Sequence, residues 1–135
     1  MRVLLQRVTR AQVSVEGVVT GSIGPGLMVL VGVGPEDTEE VARTLAAKSV
    51  DLRIFRDDEG RTNRSLADTG GAMLVVSQFT LYGDTRKGRR PSFIYAAKPD
   101  MAAHLVEVFA AAVEERGISV GRGQFGAEME VELVN

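Results

Sequence analysis

Between Ser77 and Pro91 the chain sets three small polar side chains, Ser77, Gln78 and Thr80, just ahead of a loop carrying Arg86, Lys87, Arg89 and Arg90. Hydroxyl and amide groups at a strand end can bind and orient a carbonyl substrate. Four cations in five positions around Gly88 suit phosphate oxygens. Together they predict an enzyme-like pocket that handles the end of a polyanion. No RNP-type aromatic strand motif accompanies the cations, so backbone and end recognition is expected rather than base reading. Plainer accounts compete. The basic loop could serve solubility, and Ser77 and Thr80 could satisfy only backbone groups at a strand end. A hydroxyl without an identified base is also a weak nucleophile.

These groups need a strand to carry them, and Met73-Leu74-Val75-Val76 is a continuous apolar run of the kind that fits a strand covered on both faces. Its period of two puts Ser77 and Phe79 on one face and Gln78 and Thr80 on the other. Either the chain bends here or backbone groups share in the binding.

Elsewhere, Val3, Leu5, Val8, Val13, Val15, Val18 and Ile23 are spaced for a hairpin over Arg2 to Ile23, with Glu16-Gly17 as its turn. Leu27 to Val33 reads as a second buried strand. Asp37, with Glu40 three places on, predicts an N-cap for a helix over Thr38 to Val50. A short helical piece is expected around Ser65 to Asp68. Pro99 opens a helix with the stripe Met101, Leu105, Val108, Phe109, Ala112 and Val113, which Gly117 ends. Ile118 to Val120 and Ala127 to Val134 are candidate final strands. The expected fold is α/β: one mixed β-sheet with an N-terminal hairpin and two main helices packed on one side, in a single domain.

Composition narrows the chemistry. With 135 residues, 44% of them hydrophobic, the chain can bury a sizeable core. It has no cysteine, which excludes disulfides, thiolate nucleophiles and cysteine zinc sites. Its one histidine, His104, sits in a helical pattern and is read as a helix-surface residue, not as part of a triad. The Asp57-Asp58-Glu59 run lacks the ligand pattern of a calcium loop and reads as a solvated turn, as does Asp84. No metal or cofactor is called for. A net charge of −2 confines any nucleic-acid contact to a local patch. No apolar run approaches the ~20 residues that span a bilayer, and no signal pattern opens the chain, so a cytoplasmic location without membrane partners is the default expectation.

The pentapeptide Ser77-Gln78-Phe79-Thr80-Leu81, followed by Tyr82-Gly83 and Arg90-Pro91-Ser92-Phe93, resembles the signature of the D-aminoacyl-tRNA deacylases. Colinear similarity runs from Met1-Arg2-Val3 and Gln6-Arg7-Val8 to Phe125-Gly126-Ala127 and Met129. The resemblance implies hydrolysis of D-aminoacyl-tRNA, and of mischarged glycyl-tRNA, by a homodimer whose active site lies near the subunit interface and takes the aminoacyl-tRNA 3′ end. It assigns Thr80 and Phe79 to catalysis. Ser77, Gln78, Ala102 and Met129 fall to the pocket, and Arg7 is expected to hold a glycine–proline element of the site. With tRNA as substrate, the cation cluster Arg86, Lys87, Arg89 and Arg90 is read as its phosphate contact. Whether Thr80 attacks as a covalent nucleophile or a substrate ribose hydroxyl activates water stays open.

One departure stands out. In the family a Gly-Pro pair follows a Val-Asn sequence near the C-terminus and excludes L-amino acids, whereas here Val134-Asn135 is the end of the sequence. Gly24-Pro25 and Gly34-Pro35 read as turns. The expectation is one domain over 1–135 that lacks its last C-terminal residues. Loss of the chiral filter, or a non-catalytic module binding the tRNA end, are the alternatives.

Overall fold

A computed structural model describes all residues, 1–135. Its centre is a four-stranded mixed sheet in the order β1-β4-β7-β8, formed by β1 (Arg2–Val8), β4 (Gly26–Gly32), β7 (Ala72–Ser77) and β8 (Val120–Arg122). β1 runs antiparallel to β4, while β7 pairs parallel with both β4 and β8. The two apolar runs seen in the sequence are thus the two central strands. Alternate residues go to opposite faces, as the pleat requires. Leu27, Val29, Val31, Met73 and Val75 face one core, and Met28, Leu74 and Val76 face the other.

The first core lies under α1 (Glu39–Asp51) and α3 (Pro99–Glu114), whose Ala42, Ala46, Val50, Phe109 and Val113 are buried against the sheet. Both helices pack on one side, as expected. Of the α3 stripe, Leu105, Val108, Phe109, Ala112 and Val113 are buried. The start of α1 differs from the sequence reading. Thr38, not Asp37, caps it through the Val41 N–H. The Asp37 carboxylate instead accepts from the Gly34 N–H at 2.6 Å and pairs with the Met1 ammonium. The short helix α2 (Leu66–Thr69) carries a full Ser65–Asp68 capping box.

The second core is closed by a sheet that the sequence reading lacked. β2 (Arg10–Val15) pairs with β3 (Val18–Ile23) and with β9 (Glu130–Val134), giving the order β3-β2-β9. The Glu16-Gly17 turn is present, with both residues at positive φ, 51° and 78°, as a two-residue hairpin needs. It joins β2 to β3, however, and β1 leaves the expected hairpin to pair with β4 in the other sheet. Thr9 lies between β1 and β2. The last two strands also lie slightly later than expected, at Val120–Arg122 and Glu130–Val134. Between α1 and β7, the strands Phe55–Arg56 (β5) and Thr62–Arg64 (β6) flank the Asp57–Gly60 turn. Asp57 fixes that turn by accepting from the Glu59 and Arg61 N–H groups.

Candidate active site

β7 ends at Ser77 and the chain does not continue as a strand. Gln78 keeps one ladder bond, N–H to Val31 O at 2.8 Å, and Phe79–Tyr82 then coils into a 3₁₀ turn. The turn can lie so close to β4 because Gly32 and Gly34 are bare. A Cβ at Gly32 would stand 2.9 Å from the Gln78 carbonyl oxygen, and one at Gly34 would stand 2.9 Å from the Tyr82 hydroxyl. The coil resolves the facing problem posed by strand alternation. Ser77, Gln78 and Phe79 all line one cavity of about 590 Å³, together with Ala102 and Met129. Its remaining wall is mostly apolar, with Val31, Val33, Val76, Phe93, Ala97 and Phe125 among its residues. Phe79 and Phe93 meet edge to face at 5.0 Å between ring centres.

Thr80 is exposed and does not line the cavity. Its Oγ1 accepts from the Gln78 side-chain amide, which is a donor and no base. His104 is exposed on α3 and pairs with Glu39 at 2.7 Å, as a helix-surface histidine would. The first donor of the 3₁₀ turn is the Leu81 N–H, to Gln78 O at 3.3 Å. The preceding N–H groups of Phe79 and Thr80 have no carbonyl within the turn, as at any helix start. The site therefore offers two adjacent backbone donors, an amide and a hydroxyl beside an apolar hollow. No three His, Asp or Glu side chains converge as a metal ligand set.

Two groups of expected residues stand apart. Arg7 is outside the cavity; it donates to Ile54 O at 2.9 Å and lines a second hollow of about 350 Å³. The Asn135 side chain donates to the Arg7 carbonyl at 3.2 Å. The basic loop is pinched off by paired Asp84 and Ser92 backbone bonds of 2.8 and 2.9 Å. Within it Arg86 is already occupied. Its guanidinium holds Asp84 through Nε at 2.9 Å and Nη2 at 2.7 Å, and reaches the Tyr95 hydroxyl at 3.4 Å. The Arg86 bonds pull the Asp84 carboxyl down to about 2, and Arg86 is raised in turn. Lys87, Arg89 and Arg90 are exposed and make no hydrogen bond or ion pair.

The sequence reading missed the turn's supports. Arg2 donates to Leu81 O at 2.7 Å and lies 4.5 Å above the Tyr82 ring. Burial raises the Tyr82 phenol pKa, and the Asp37 charge adds to the rise. The Gly32-Val33-Gly34 spacing was the available signal, since glycines after a buried strand often mark a close approach.

The sequence pattern of the family described as D-Tyr-tRNA(Tyr) deacylase matches residues 4–135. The chain belongs to this family. Among its deacylase relatives, the D-aminoacyl-tRNA deacylase of Roseiflexus castenholzii is 63% identical over 135 residues, covering 100% of this chain and 86% of the relative. That of Deinococcus radiodurans is 56% identical, with 100% and 93% covered. A solved structure named c-Myc DNA Unwinding Element Binding Protein superposes with a TM-score of 0.92 at 34% identity, covering 100% of this chain and 92% of that one. The deacylase fold is shared more distantly by a probable eukaryotic D-amino acid tRNA deacylase, with a TM-score of 0.83 at 22% identity, over 97% and 91% of the two chains.

Proposed function

We propose that this protein is a D-aminoacyl-tRNA deacylase that hydrolyses the ester between a D-amino acid and the terminal ribose of tRNA. Family membership over residues 4–135 supports the activity. The observation that carries the mechanism is the 3₁₀ turn at the cavity edge, where the Phe79 and Thr80 N–H groups lack carbonyl partners within the turn. Such donors can stabilise the oxyanion formed when water adds to the ester carbonyl. Collapse of that intermediate breaks the bond to the ribose oxygen, which takes up a proton and leaves as the tRNA hydroxyl.

No base touches Thr80, so activation of the water falls to a ribose hydroxyl of the substrate rather than to a Thr80 nucleophile. Ser77, Gln78, Ala102 and Met129 shape the hollow for the 3′ end, and glycyl-tRNA is a further substrate. Lys87, Arg89 and Arg90 meet tRNA phosphates, while Arg86 shapes their loop. Arg7 is the residue placed to hold a glycine–proline element; the Asn135 side chain donates to its backbone carbonyl, which sets the end of β9 beside it. The site works as a homodimer in the cytoplasm. Exposed Phe79 and Ile94, at 55% and 75%, are the apolar surface near the cavity that a second copy would cover. No helix is long and apolar enough to cross a membrane.

The test is single-turnover hydrolysis of D-tyrosyl-tRNA and L-tyrosyl-tRNA side by side, with the oligomeric state measured on the same sample. Fast release from the D substrate alone is expected. Equal rates on both, or binding of tRNA with no release, would overturn the reading, the latter in favour of a non-catalytic module for the tRNA end.

A further inference from the structure

We infer that Arg2 is a positioning residue for the Phe79–Tyr82 turn, and so acts on the reaction without touching the substrate. The inference rests on the deacylase reading for its kinetic consequence, but not for its structural one.

A four-residue 3₁₀ turn is weakly held by its own bonds. This one has Leu81 N–H to Gln78 O at 3.3 Å, and Gly83 N–H to Thr80 O at 2.9 Å. The Leu81 carbonyl has no such partner, because the Asp84 N–H is spent on Ser92 O. Arg2 supplies the missing donor at 2.7 Å, and its guanidinium covers the Tyr82 ring at 4.5 Å. A cation above an aromatic face is attracted to it. Both contacts of the Arg2 side chain fall on this one turn. Its backbone is held independently, by pairing opposite Gly32 in the β1–β4 ladder.

The geometry forms a seat with three sides. Gly32 and Gly34 lie beneath the turn, where a Cβ at either would come within 2.9 Å of it. Asp37, anchored by the Gly34 N–H, stands close enough to the Tyr82 phenol to perturb it. Arg2 closes the outer side. Removing it leaves β1 and the core intact but lets the Leu81–Tyr82 end rock. The Phe79 and Thr80 N–H groups at the other end of the same four residues then lose their fixed aim. Arg2 is exposed, so Arg2→Ala should fold.

The experiment compares wild type, Arg2→Ala and Arg2→Lys on D-tyrosyl-tRNA at low and high salt, with amide exchange of the turn read on the same proteins. In Arg2→Ala the saturating rate falls about tenfold, as expected for loss of one charge-assisted bond and one cation–π contact. Half-saturation moves less than twofold, the loss is the same at both salts, and the Leu81 and Gly83 amides exchange about tenfold faster. Lysine keeps the charge and a donor but not the planar group, so Arg2→Lys recovers part of the rate and of the protection.

Unchanged exchange in Arg2→Ala overturns the inference whether or not the protein deacylates. So does a loss confined to half-saturation that fades at high salt, which would make Arg2 a phosphate contact. Arg2→Lys no better than Arg2→Ala would overturn it as well. A wild type that fails to hydrolyse the ester counts against the deacylase reading alone, since exchange still decides the role of Arg2.

Discussion

Replacing Gly32 by alanine adds one methyl group at a tight point behind the Phe79–Tyr82 turn. The new Cβ would stand 2.9 Å from the Gln78 carbonyl oxygen, 3.1 Å from Leu81 Cβ and 3.3 Å from Tyr82 Cδ2. The first two are backbone or backbone-adjacent atoms that cannot rotate away. The turn must therefore move outward by a few tenths of an ångström. Overpacking of this kind costs about 1–3 kcal/mol, and for a domain of this size lowers Tm by roughly 3–10 °C. The catalytic cost is comparable, because small misplacements of reacting groups are amplified in the rate. A shift of this order predicts a loss of about ten- to a hundredfold in the single-turnover rate. Gly24→Ala is the control, since a Cβ there meets nothing within 4 Å. The assay is hydrolysis of D-tyrosyl-tRNA at 25 °C, paired with thermal unfolding of both variants. A Gly32→Ala protein within twofold of wild-type rate would refute the claim that the turn's seat on β4 governs the chemistry.

Thr80→Ala should keep its fold and lose no more than about tenfold in rate, because the Thr80 hydroxyl touches only the Gln78 amide. Near-complete loss of turnover in that variant would restore Thr80 as nucleophile. Joint replacement of Lys87, Arg89 and Arg90 by glutamine should flatten the plot of log tRNA affinity against log salt by about 2 units, at ~0.7 per phosphate contact on single strands. An unchanged slope would remove the loop from the tRNA interface. The Asp84 carboxyl should titrate at about 2 by NMR, against 3.8 when unpaired. With its folded pKa depressed, the clamp's stabilisation is fully present above pH 3.8 and is lost as pH falls through about 2. It stays small because the pair is exposed. A midpoint near 3.8 would mean that the Arg86 clamp does not persist in solution.

The elements most legible in the sequence were those with a strong internal period. The α3 stripe, the runs Leu27–Val33 and Met73–Val76, and the Glu16-Gly17 turn could all be read locally. Pairing was not legible. Nothing in Arg2–Val8 says that it joins β4 in one sheet while Arg10–Val15 joins another, because a strand's partner is a non-local fact. At the site, the run Ser77-Gln78-Phe79-Thr80 marked the place, and Ser77, Gln78, Phe79, Ala102 and Met129 do meet in one cavity. That Thr80 sits at its edge could not be read, because a strand and a 3₁₀ turn send their fourth residue in different directions. Charge was misleading in the loop, where four cations in sequence reduce to three free ones once Asp84 takes Arg86.

The pairing of β2 with β9 has a consequence for biosynthesis. Gln12 and Glu132 are bonded across a sequence separation of 120 residues, and Phe125, Met129 and Val131 form part of the cavity wall. While the ribosome is still making the middle of the chain, β2 and β3 exist as a bare hairpin, and the hollow lies open on that side. Contacts this distant in sequence form slowly, and only after the intervening chain has been ordered. The nascent protein therefore carries its basic loop before it carries a closed pocket. The cavity wall is thus complete only after the β9 segment has cleared the exit tunnel.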